Sequence, residues 1–225
     1  MGVTVIIPTL NEEAAIGPLV RRIPREVVDR ILVADSGSTD ATAARAHEAG
    51  AEVLSVGRGY GRACLAAAEA ADEGDILVYM DGDGADDPTA IAQLVAPVRA
   101  ASCDLVLASR AMGEREPGSM SWHQLAAGLV IGLGTKLLYG VRYSDMCAFR
   151  AIRRDTLLAL GMRELTYGWN LEMQMRAARR GLRVREIPVR YFRRAGGESK
   201  VAGSLRGTVK AGSRIVATFL RLAAS

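Results

Sequence analysis

Short apolar runs alternate with segments of helical periodicity along the first half of this chain. Residues 3–8, 30–34, 52–56, 76–80 and 104–109 are rich in Val, Ile and Leu and bounded by turn residues, which predicts buried strands. Between them, residues 14–23, 41–49, 62–71 and 87–99 predict helices. Their starts carry helix-initiating chemistry: Glu12 and Glu13 in a first turn, Ser38-Thr39-Asp40 as caps, and Asp87-Pro88 as an N-cap followed by a first helical residue. This alternation predicts an α/β fold, Rossmann-like, with a mostly parallel sheet and helices on both faces.

The second half is less regular. Residues 112–121 read as a polar loop. Residues 125–141 are strongly apolar but are interrupted by Lys136 and four glycines. That length only reaches the shortest membrane spans, ~17–25 residues, so a buried or membrane-facing helix is expected rather than a span. Residues 169–180 predict a helix, 183–189 a strand, 193–203 a basic glycine-containing loop, and 205–222 a final amphipathic helix. Arg206, Lys210 and Arg214 recur every four residues and share one face of it. Such a helix can lie in a membrane interface, pack on the sheet, or join a second subunit in a homodimer.

Composition narrows the class. With 225 residues, 49% of them hydrophobic, the chain can bury a sizeable core. Its first residues lack the basic region, long apolar core and cleavage site of a signal peptide. Cys64, Cys103 and Cys147 are scattered and suggest neither a disulfide framework nor a zinc site, so a cytoplasmic location is expected. Charge is unevenly placed. Residues 176–225 carry 13 Lys/Arg against Glu186 and Glu198, a local net of +11; this leaves −7 on residues 1–175 and +4 overall. An acidic body with a basic tail expects anions at the tail.

Candidate chemistry gathers where strands end, which is where open parallel sheets bind ligands. Thr9-Leu10-Asn11-Glu12 follows the first strand, Asp35-Ser36-Gly37-Ser38 the second, and Asp81-Gly82-Asp83 the fourth. Two carboxylates one residue apart on a turn suit a hard divalent cation that keeps several waters and bridges phosphates. A calcium-hand loop is excluded, because Ala85 and Asp86 stand where an oxygen ligand and a glycine are required. Asp87 reads as a helix cap. Gly57-Arg58-Gly59-Tyr60-Gly61 misses the dinucleotide spacing by one residue and reads as a turn near phosphates. With only His47 and His123 and no Gly-x-Ser-x-Gly elbow, a Ser-His-Asp hydrolase is not supported.

Three ordered segments, Val5-Ile6-Ile7-Pro8-Thr9-Leu10-Asn11-Glu12-Glu13, Val33-Ala34-Asp35-Ser36-Gly37-Ser38-Thr39-Asp40 and Asp81-Gly82-Asp83, resemble family 2 glycosyltransferases. Ser144-Asp145-Met146-Cys147-Ala148-Phe149-Arg150 and Gly197-Glu198-Ser199-Lys200 resemble the polyprenyl-phosphate branch, typified by dolichyl-phosphate mannose synthase. The resemblance implies a glycosyltransferase-A type fold, with a catalytic domain over 1–203 and a basic helix over 204–225. Within the domain, 1–110 would be the nucleotide-sugar half and 111–203 the acceptor half. It implies that Pro8, Leu10, Glu12, Val33 and Asp35 line the nucleoside pocket. Asp81, Gly82 and Asp83 would meet the diphosphate, both carboxylates holding Mg²⁺ or Mn²⁺, while Arg110, Arg194 and Lys200 bind phosphate.

The implied reaction is inverting transfer of a hexose from a UDP- or GDP-sugar to a lipid phosphate, at the inner face of a membrane and without nucleic acid. Asp83 and Arg110 would act at the reacting diphosphate. An anionic phosphate acceptor needs no strong base; for a hydroxyl acceptor the candidate base is Asp145, with Glu172 behind it. The chain departs from its relatives in placing Ser36 where a second acidic residue is common and Ala85 where Gln often assists the metal, so fewer protein ligands are expected. A nucleotidyltransferase or a non-catalytic nucleotide-binding module is the remote alternative. The absence of a basic glycine-rich loop after the first strand argues against it.

Overall fold

A computed structural model describes the backbone of residues 1–196 and 205–224, and the side chains of 1–196 and 212–224. Among the described residues seven strands form one sheet: β1 (Val3–Thr9), β2 (Arg30–Asp35), β3 (Glu52–Ser55), β4 (Ile76–Tyr79), β5 (Leu105–Ser109), β6 (Arg150–Arg153) and β7 (Val184–Pro188), in the order β3-β2-β1-β4-β6-β5-β7. Every pairing is parallel except the two made by β6, which runs antiparallel between β4 and β5. The carboxyl ends of the other six strands therefore share one edge, and the start of β6 joins them there.

The helices are α1 (Glu13–Arg22), α2 (Thr42–Glu48), α3 (Tyr60–Ala70), α4 (Ile91–Arg99), α5 (Trp122–Tyr139), α6 (Arg154–Leu160), α7 (Trp169–Arg179) and α8 (Leu205–Ala223). Period-2 alternation divides the sheet between two cores. Val5, Ile7, Val33, Val78 and Val106 pack under α1, α2 and α4. Ile6, Leu32, Leu77, Tyr79 and Leu107 face α3, α6 and α7, where Ala63, Ala67 and Ala68 bring α3 close to the strands. The predicted strands and helices all form, with ends shifted by a few residues. A short 3-10 turn, Pro88–Ala90, precedes α4, and Asp87 caps it by accepting from the Thr89 N–H.

β6 and α6 are additions to the predicted elements. Arg-Ala-Ile-Arg has no apolar run to announce a strand, yet Arg150 is fully buried. Its guanidinium donates to the carbonyls of Cys147, Ala148 and Asn170, which satisfies a buried cation that forms no ion pair among the described residues.

Outside α7 lies a third layer. Ile131 of α5, Leu171 and Met175 of α7, and Ile215, Phe219 and Leu222 of α8 pack together. Gly134 permits the α5–α8 approach, because a Cβ there would stand 2.5 Å from Phe219 Cζ. Buried Glu164 anchors α8 by accepting from Arg214 Nε at 3.1 Å, Thr218 Oγ1 at 3.2 Å and Arg221 Nη2 at 3.4 Å. No helix among the described residues is long and apolar enough to cross a membrane. α5 starts on a capping box between Ser121 and Gln124 and stops at left-handed Gly140.

Candidate active site

Pairing of β1 with β2 sets Thr9 beside Asp35 at the carboxyl edge. The loops that follow are fastened together. Asn11, held at φ 54°, donates its N–H to Ser38 Oγ at 2.9 Å and accepts from the Thr39 N–H at 2.9 Å. Asn is among the few residues that tolerate this left-handed conformation. The Glu12 N–H donates to Thr42 Oγ1 at 2.8 Å, and Asp35 accepts from both the N–H and the hydroxyl of Ser38. Pro8 and Asp35 are buried at this wall, and Leu10 and Glu12 are half-buried. Val33 packs wholly in the core and supports the wall from beneath.

The turn after β4 packs three acidic side chains into a small space. Gly82 lies against β1, where a Cβ would stand 2.7 Å from Thr9 Cγ2. Asp83 is 7% exposed and accepts from the Ala85 N–H at 3.0 Å. Asp81 accepts from Tyr60 Oη at 3.2 Å. Burial, reinforced by the charge of Asp83, raises the Asp81 carboxyl to about 6. Asp86, 2% exposed, accepts from the Asp81 N–H through Oδ2, while its Oδ1 has no partner. Burial and the charges of Asp81 and Asp83 push it well above the usual carboxylate range.

Two arginines face this cluster. Arg194 lies on a strap after β7 that crosses the turn, where the Phe192 N–H donates to the Ala85 carbonyl at 2.8 Å and the Ala195 N–H to the Asp83 carbonyl at 3.0 Å. Its Nη1 donates to Asp83 at 2.8 Å and its Nη2 to both oxygens of Glu12, at 2.7 and 2.8 Å. Arg194 Nε is buried without a partner. Arg110, next after β5, donates from Nε and Nη2 to the two oxygens of Asp145 at 2.7 and 2.8 Å and stacks 5.0 Å over the Tyr191 ring.

Asp145 is committed to that pair. Burial alone would raise its carboxyl, but bonds from the Arg110 guanidinium, helped by the Arg110 and Met146 N–H groups, hold it below the usual range. Such a carboxylate is a weak proton acceptor. Glu172 is fully buried, accepts from the Arg163 and Glu164 N–H groups and pairs with Arg176, all of it structural work. Lys200 lies outside the described residues.

Tyr60, Asp86 and Tyr191 belong to the site but were not singled out as binding or catalytic. The glycine-rich turn carrying Tyr60 was the available signal for that residue. Asp86 and Asp87 are both buried; Asp87 spends a carboxylate oxygen on the Thr89 N–H, whereas Asp86 turns back to the Asp81 N–H and keeps its other oxygen unpartnered.

Among the described residues no three His, Cys, Asp or Glu side chains form a metal cluster. The donor set still fits a divalent ion: two carboxylates one residue apart, one with its acidity suppressed by burial and then by its neighbour's charge, and an unpartnered Asp86 oxygen beside them. Mg²⁺-type sites need only one or two protein carboxylates when phosphates and water complete the shell.

The Glycosyl transferase family 2 model matches residues 4–161. An uncharacterized glycosyltransferase of Mycobacterium tuberculosis is 37% identical over 211 residues, covering 92% of this chain and 93% of that one. An undecaprenyl-phosphate mannosyltransferase of Micrococcus luteus is 33% identical, covering 92% and 90%. Among solved structures, glucosyl-3-phosphoglycerate synthase from Mycobacterium tuberculosis, in complex with Mn²⁺, UDP-glucose and phosphoglyceric acid, superposes with a TM-score of 0.77 at 24% identity, covering 99% of this chain and 80% of that one.

Proposed function

This chain belongs to glycosyl transferase family 2, and on that premise we propose that it moves a hexose from a nucleotide sugar to a polyprenyl phosphate with inversion. The observation that carries the acceptor is the state of Asp145. Its carboxylate is held by Arg110 and unsuited to deprotonating a hydroxyl, whereas a lipid phosphate arrives already anionic. The name of the Micrococcus luteus relative supports the same acceptor class.

The fastened loops of β1 and β2 form a wall for the nucleoside, with Asp35 and Glu12 at its polar end. Asp81 and Asp83 would hold Mg²⁺ or Mn²⁺, which when bound neutralises the donor diphosphate. Arg110 faces the same region and stabilises charge arriving on the leaving group. Arg194 keeps its unpartnered Nε–H for a phosphate oxygen. An acceptor phosphate oxygen attacks the anomeric carbon, the bond from that carbon to the diphosphate oxygen breaks, and the nucleoside diphosphate leaves with the electron pair. Asp145 is a positioning residue for Arg110. The protein would work in the cytoplasm, at the inner face of the membrane that carries its acceptor.

The test is transfer by purified chain from a panel of GDP- and UDP-hexoses to undecaprenyl phosphate in detergent, with Mn²⁺ or Mg²⁺, reading lipid-linked sugar. GDP-mannose is the first donor to try. Product that appears only with hydroxyl acceptors overturns the acceptor assignment. Donor binding that needs no divalent ion and survives Asp83→Ala overturns the metal role.

A further inference from the structure

The α5–α8 pair carries an apolar surface that the described residues leave uncovered. Gly128, Ile131, Gly132 and Thr135 form the buried stripe of α5. On its other side Leu129, Val130, Leu133 and Leu137 are 56–79% exposed, and Val216 and Leu220 on α8 are 58% and 62% exposed. Leu129, Leu133 and Leu137 recur every four residues and form an apolar stripe along α5, and Val216 and Leu220, also four apart, add to it from the described part of α8. A soluble surface helix normally turns its polar face outward. At the shared end of the pair, where Tyr139 Oη donates to the Leu222 carbonyl, opens a cleft of about 390 Å³ lined by Tyr139, Met175, Leu222, Arg176, Arg179 and Arg180.

Charge decides what covers this face. Neither α5 nor α8 contains an Asp or Glu; Lys136, Arg214 and Arg221 lie on them, and the two arginines share the single charge of Glu164, so the rim stays basic. A second copy docked there would set basic rim against basic rim. An anionic surface would accept the rim while repelling the body, since residues 1–175 carry a net −7.

We propose that the α5–α8 face, with the arginine-lined cleft at its end, docks onto an anionic phospholipid bilayer, the cleft receiving a headgroup phosphate. This deepens the reading of a lipid-borne acceptor. Its test uses neither donor nor acceptor, so either can fail while the other stands.

The full chain is sedimented with vesicles of phosphatidylcholine alone and of phosphatidylcholine mixed with phosphatidylglycerol. The expected result is binding to the anionic vesicles, weak binding to the neutral ones, and release by salt. Each basic side chain near such a surface is worth about fivefold in binding, so the double variant Arg179→Glu/Arg180→Glu should bind about 25-fold more weakly or worse. Leu133→Ser/Leu137→Ser should also release the protein; all four positions are exposed, and melting curves check that the variants fold. Equal binding to both vesicle types, insensitivity to salt, or retention by both variants overturns the proposal. So does a dimer by light scattering that Leu133→Ser/Leu137→Ser makes monomeric.

Discussion

Arg194 holds Asp83 and Glu12 with the two ends of one guanidinium, at 2.8 Å and at 2.7 and 2.8 Å. It thereby joins the loop after β1, the turn after β4 and the strap after β7. It also places a fixed positive charge on a carboxylate proposed to hold the metal.

Arg194→Gln should therefore tighten Mn²⁺ binding in the absence of donor by several-fold, read by electron paramagnetic resonance of the free ion. The same change should raise the donor KM, because a phosphate-facing N–H is lost. It should also cost about 1–3 kcal/mol of metal-free stability by leaving charged groups without their partner. Unchanged Mn²⁺ affinity would remove Arg194 as a competitor for Asp83.

The raised Asp81 carboxyl predicts a pH dependence. Its folded value, about 6, lies above the unfolded value of ~3.9, so between those limits the folded state binds more protons. Stability of the metal-free protein should fall as pH rises through that window, by on the order of 1–3 kcal/mol. Saturating Mn²⁺ should reverse the trend, because the ion requires the charged form. Urea melts from pH 4 to 7.5, with and without Mn²⁺, check both signs.

Arg110 and Asp145 should behave as one unit. Asp145→Asn and Arg110→Lys should each lower kcat by about 10–100-fold, and the double variant should be little worse than either, since coupled groups are non-additive. The pH profile of kcat/KM should keep its shape in Asp145→Asn; loss of its acidic limb would restore Asp145 as a base. The Asp145 carboxyl is depressed in the folded state. Its stabilising contribution is thus complete above the unfolded value of ~3.9 and is lost as pH falls through the lower folded one.

Gly82→Ala should part β4 from β1 at the catalytic edge, because the new Cβ meets Thr9 Cγ2 at 2.7 Å. A loss of about 1–3 kcal/mol is expected from overpacking, together with weaker donor binding. Thermal melts and donor titration measure the two effects.

The sheet and the ligand edge were readable because Val, Ile and Leu runs and terminal acids are local signals. Asp35, Asp81 and Asp83 stood at strand ends in the one-dimensional pattern and meet at that edge in space. β6 was not readable: an Arg-flanked tetrapeptide becomes a central strand only because β4 and β5 pair with both its edges. The pairing of Arg110 with Asp145 was hidden for a related reason. The two lie 35 positions apart, and nothing local distinguishes a carboxylate bound by arginine from one available to a substrate. Tyr60 joins the site through its hydrogen bond to Asp81, and Asp86 through its unpartnered buried oxygen, neither of which a local pattern shows.

The reversed direction of β6 has a consequence for how such a protein can diversify. β5 leaves the sheet at the catalytic lip, and β6 re-enters at that same lip, with Arg150 opposite Tyr79 and Leu107. Between Arg110 and Asp145, which stay fixed at that rim, runs an excursion, α5 included, that departs from it and returns to it. It can lengthen, shorten or change its apolar face without shifting the register of any strand. The strand edge and the Arg110–Asp145 pair can in that sense stay constant while the outer surface of the excursion varies.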